Sequence, residues 1–112
     1  MLKLKDKYPI SQFLSLLNKK EMERIIATMT ETILVEIKEK KRTIQEAEQL
    51  IFNMSTLELC DKHALNTKLR DIVVQGMELE DINYLTDKET LKQAIDDCLK
   101  QIHQLEPSLM NA

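Results

Sequence analysis

A chain of 112 residues has the surface to bury one core and is of single-domain size. Hydrophobic residues at 43% and charged residues at 31% are ordinary globular values, which excludes wholesale disorder. A net charge of −3 excludes a nucleic-acid binder that works by charge alone, and no stretch approaches the ~20 apolar residues of a membrane span.

Turn punctuation is almost missing. Gly76 is the single glycine, and the prolines are Pro9 and Pro107. Strands need turns, and turns lean on Gly and Pro, whereas Leu, Ile, Glu, Lys and Gln favour helix. The expectation is an all-α fold: one domain over residues 1–112, a compact bundle of five or six helices with one long central helix. Charge is unevenly spread. Residues 1–42 hold ten Lys/Arg against six Asp/Glu, and residues 43–112 hold six against thirteen. Two oppositely charged halves attract one another within one fold, or present a face to a charged partner.

Residues 1–8 interleave Leu2 and Leu4 with Lys3, Lys5 and Lys7 and contain no secretory h-region, so they read as a flexible arm. Phe13, Leu14, Leu16 and Leu17 suggest a short helix over 11–17. Asn18, with Glu21 three residues on, spells a capping box for a long helix over 19–41. Met22, Ile25, Ile26, Met29, Ile33 and Ile37 recur at three- and four-residue steps along it. Leu34 and Val35 fall off that stripe, which marks them as the candidate interface residues. Thr43/Glu46, Ser55/Glu58 and Thr86/Glu89 spell further boxes, opening helices over about 44–52, 56–64 and 87–105. Between them, Leu69, Ile72, Val73 and Leu79 share one side of a segment from Asn66 to Leu79 or Leu85. Gly76, in the middle of that side, either ends the helix or lets a neighbour approach closely. Leu91, Ala94, Ile95, Cys98, Ile102 and Leu105 form the face of the last helix, with Glu106-Pro107 as its stop.

Chemistry-bearing constellations are weak. Cys60, His63, Cys98 and His103 have the composition of a zinc site. However, Cys98 and His103 are five apart, about 140° around a helix, and cannot both face one ion. Both cysteines sit on apolar stripes, where a thiol behaves as a small hydrophobe. Neither a glycine-rich phosphate loop nor a Glu-x-x-His motif occurs, and no cofactor, metal or catalytic residue is expected. Two cysteines are too few for a disulfide scaffold, which suits the cytoplasm. Residues 44–64 have the lengths of a helix–turn–helix unit, the alternative reading as a DNA-binding regulator. The second helix, with one lysine, no arginine and two acids up to His63, argues against it.

The run Thr43-Ile44-Gln45-Glu46-Ala47-Glu48-Gln49-Leu50-Ile51-Phe52-Asn53, with Gly76-Met77-Glu78-Leu79-Glu80-Asp81, resembles a small family of helical proteins of unknown function from Gram-positive bacteria. The resemblance spans residues 34–85 and implies a bacterial cytoplasmic helical domain. It brings no function, cofactor or catalytic residue with it. The functional expectation is therefore a non-enzymatic interaction or regulatory module. Its partner would be another protein or a second copy of itself in a homodimer, rather than nucleic acid or membrane.

Overall fold

The computed structural model describes residues 9–110, so the arm expected at 1–8 lies outside the described residues. Among these, seven helices follow one another and no strand occurs: α1 (Pro9–Leu14), α2 (Lys19–Lys38), α3 (Ile44–Leu50), α4 (Met54–Lys62), α5 (Thr67–Met77), α6 (Leu79–Leu85) and α7 (Lys88–Met110). The expected long helix is α2, and its principal neighbour α7 is longer still, at 23 residues.

These two helices share the largest contact of any pair and run antiparallel. Lys38 faces Asp96, Glu31 faces His103, and Arg24 reaches the carbonyls of Leu109 and Met110. Positions on α2 fall by seven as those on α7 rise by seven, so one seam of paired polar groups follows two helical turns at each step. Met22, Ile26, Ile33 and Ile37 from α2 are buried with Ile95, Cys98, Ile102 and Leu105 from α7. α5 and α6 pack on α7, α3 bridges α2 and α6, and α4 joins α5 to α1. The shortest dimension is 22 Å, the thickness of two helix layers.

Leu34 has no exposed surface, and Val35 is half-buried against the same core. Leu34 is therefore not free to meet a second chain, whereas Val35 keeps part of its surface exposed. α2 has α7, α3 and α5 as neighbours, so its buried arc is wider than a single stripe and takes in Ala27, Thr30 and Leu34.

Two of the four predicted capping boxes form. Asn18 Oδ1 accepts from the Glu21 amide at 2.8 Å while Glu21 Oε1 accepts from the Asn18 amide at 3.0 Å, and Thr43 and Glu46 reciprocate in the same way. The other two starts shift. Asn53, not Ser55, caps α4, its Oδ1 accepting from the Thr56 amide at 3.0 Å. Asp87, not Thr86, caps α7 through the Thr90 amide at 2.8 Å.

Pro107 does not stop α7, which continues to Met110. Proline removes one amide donor there, the one that His103 O would accept. That loss is offset by burying Leu109 one turn beyond Leu105 and by Arg24, whose Nε donates to Leu109 O at 3.1 Å. At the other contested position, α5 runs through Gly76 and ends a residue later. Glu78 alone separates it from α6. Gly76 is buried because the Phe52 ring lies against it.

Candidate functional site

Two surface features lie along the α2–α7 seam. The first is a groove of about 590 Å³ where the end of α2 meets α6 and the start of α7. Its apolar floor is made by Ile37, Leu91 and Ile95. Lys38, Lys40, Lys88 and Lys92 line its walls, with Glu89 the one acid among them. The Lys38 ammonium is 2.8 Å from Asp96 Oδ1, too far off axis for a hydrogen bond, so it is an ion pair by distance. The other three lysines are exposed.

Lys40 reaches the groove through an uncommon backbone state. It has φ 62, the left-handed region in which glycine is favoured. Its amide donates to Ile37 O at 3.0 Å, and the Lys41 amide donates to Glu36 O at 2.8 Å. These two bonds are the Schellman stop of a helix, here with lysine in glycine's usual place. α2 therefore ends at Lys38 and not at Lys41, and the turn swings Lys40 against the groove.

The second feature lies seven residues back along α2. His103 Nε2 is 2.5 Å from Glu31 Oε2, and Glu106 completes a group whose ligand atoms all lie within 4.8 Å of one another. His103 and Glu106 are three apart on α7 and so share a face. Burial pushes the Glu106 carboxyl up from its ordinary value, and its hydrogen bond to Glu31 pushes the same way. His103 was singled out in the sequence, but as a companion of cysteines. Glu31 and Glu106 carry no local signal, since only the register of α2 on α7 brings them together.

Cys60 and Cys98 are buried, unpaired thiols, and burial pushes each up to about 11. Among the described residues they form no ligand set with His63 and His103. On α5 and α7, Gln75 and Gln101 exchange amide hydrogen bonds of 2.9 and 2.8 Å beside a polar hollow of about 270 Å³. In the span 44–64 of the helix–turn–helix alternative, α3 makes its main contacts with α2 and α6, and α4 makes its own with α5 and α1. No helix among the described residues is long and apolar enough to cross a membrane.

Fold and surface together define an all-helical domain organised on one antiparallel helix pair. The chain belongs to the family described as "protein of unknown function (DUF3969)", whose sequence profile matches residues 17–111. The family likeness thus takes in every helix from α2 to α7 and leaves out only α1, well beyond the 34–85 span read from the sequence. No curated protein and no solved structure gives a match.

Proposed function

We propose that this protein is a non-enzymatic interaction or regulatory module of the cytoplasm, and that it docks an acidic, amphipathic segment of another protein in the lysine-lined groove. The observation that carries this reading is the juxtaposition of Ile37, Leu91 and Ile95 with Lys40, Lys88 and Lys92. An apolar floor supplies affinity by burial, while flanking ammonium groups select carboxylates and raise the encounter rate. The left-handed Lys40 supports it as well. A glycine would hold that turn at less cost, but would remove a cation from the groove. A role without covalent chemistry fits the two thiols, which burial keeps protonated at neutral pH, and unpaired cysteines fit a reducing compartment.

The test is a titration of the 15N-labelled protein with a synthetic helical peptide that has leucine on one face and glutamate on the other. Saturable shifts centred on residues 37–40 and 88–95 are expected, and a Lys40→Glu/Lys92→Glu variant should weaken them at least tenfold. Shifts elsewhere, or an affinity indifferent to the charge reversal, would overturn the reading. A doubling of mass by light scattering at the same concentration, abolished by that variant, would assign the groove to a second copy of the chain instead.

A further inference from the structure

The seam between α2 and α7 alternates in chemistry. At one end Lys38 meets Asp96, and at the other Arg24 meets the carboxyl-terminal carbonyls of α7. Each of these contacts sets positive against negative. The middle position is short of positive charge. Glu31 and Glu106 bring two carboxylates to one imidazole, and among the described residues no lysine or arginine pairs with either acid. The charges that act on Glu106 are those of Glu31 and His103. The single imidazole can offset at most one of the two carboxylates.

We propose that Glu31, His103 and Glu106 form a binding site for one divalent transition-metal ion of the zinc type, which clips α2 to α7. An imidazole nitrogen with two carboxylate oxygens is a borderline donor set. It suits Zn²⁺ and its first-row neighbours better than Mg²⁺ or Ca²⁺, which favour all-oxygen surroundings. Donors bound to one such ion at about 2.0–2.2 Å stand roughly 3.3 Å apart in tetrahedral geometry. The three ligand atoms already lie within 4.8 Å of one another, and the Glu31–His103 contact of 2.5 Å has only to lengthen. Small rotations of exposed or half-exposed side chains suffice, with no movement of either helix. His103 is 56% exposed, so the fourth position faces solvent and would be filled by water or an exogenous ligand.

The site is independent of the groove, and either proposal stands if the other fails. Calorimetric titration of the full chain, without an affinity tag, with zinc chloride should show one ion bound per chain. Zinc at 100 times Kd should raise Tm by about 10 °C, whereas Mg²⁺ should not. The imidazole nitrogens of His103 should shift on binding, a readout that a merely stabilising surface effect would not give. His103→Ala and Glu106→Gln, each checked for helicity by dichroism, should weaken binding at least tenfold, while His63→Ala should leave it unchanged. The proposal is overturned if zinc binding is not saturable, if it survives both substitutions, or if it follows His63.

Discussion

At Gly76 the face of α5 is left bare, and the Phe52 ring occupies the space. A Cβ added there would stand 2.5 Å from Cε1 and Cγ of the ring, closer than packed carbons tolerate. The chain's single glycine is therefore spent inside a helix, at negative φ, for packing and not for turning. Replacing it by alanine sets two effects against each other. Helix propensity favours alanine by about 1 kcal/mol, while forcing a methyl into a packed contact costs about 1–3 kcal/mol. The ring is 2% exposed and hemmed by the core, so the clash should win. Gly76→Ala should lower Tm by about 5 °C, and the same substitution in a Phe52→Leu background should be neutral or stabilising. Thermal melts of the four proteins decide it, and a Gly76→Ala that is stabilising with Phe52 in place would show that the ring yields freely.

At the scale of the element, the helix stops show what the sequence hid. α4 ends as α2 does: Ala64 has φ 49, its amide donates to Asp61 O, and the Leu65 amide donates to Cys60 O at 2.9 Å. Both stops use a non-glycine residue in a left-handed conformation, at a cost of about 1–2 kcal/mol each. Ala64 is away from the groove, so Ala64→Gly should raise stability by about 0.5–1 kcal/mol, a Tm gain of about 3–6 °C. An unchanged or lower Tm would mean that the turn is not strained. The ends were illegible because glycine, the usual marker, was absent from them. Helix starts were more legible, though spelling alone misled at Ser55 and Thr86. Which residue caps depends on where the backbone enters the helix extended, and at α4 that is Asn53, with φ −149 and ψ 169. Apolar periodicity located α2 and α7 as the two long helices that pack together, yet it could not give their register. Both the groove and the Glu31–His103–Glu106 group are products of that register.

At the scale of the whole molecule, ion pairs between the acidic residues 43–112 and the basic first part are few among the described residues. Lys38–Asp96 and Glu31–His103 are the ion pairs among the described residues that join the two parts. Where acids meet instead, a proton does the balancing. Glu48 on α3 hydrogen-bonds Glu80 on α6, and that bond, followed by burial and the charges of Glu80 and Asp81, pushes the Glu48 carboxyl up to about 7. Unfolded, the same carboxyl titrates near the ordinary value of about 4.3. The folded chain thus holds a proton that the unfolded chain has already released between those two values. Stability from this contact is fully present below about pH 4.3 and is lost as pH rises through about 7. The cap carboxylates Glu46 and Asp87 act in the opposite sense. Hydrogen bonds at their helix starts hold them below the usual range, so their contribution is lost only as pH falls beneath it. The two trends together place maximum stability near the ordinary carboxylate range, at about pH 4 to 5. Glu48→Gln keeps a hydrogen-bonding side chain and cannot ionise. Allowing for solvent screening at this partly exposed site, it should stabilise the protein at pH 8 by about 1 kcal/mol, or about 4–8 °C in Tm. At pH 4.5 the variant and the parent should melt together. Melting curves from pH 4.5 to 8 therefore test the contact between α3 and α6 directly. A Tm difference that does not grow with pH would show that the two carboxyls share no proton.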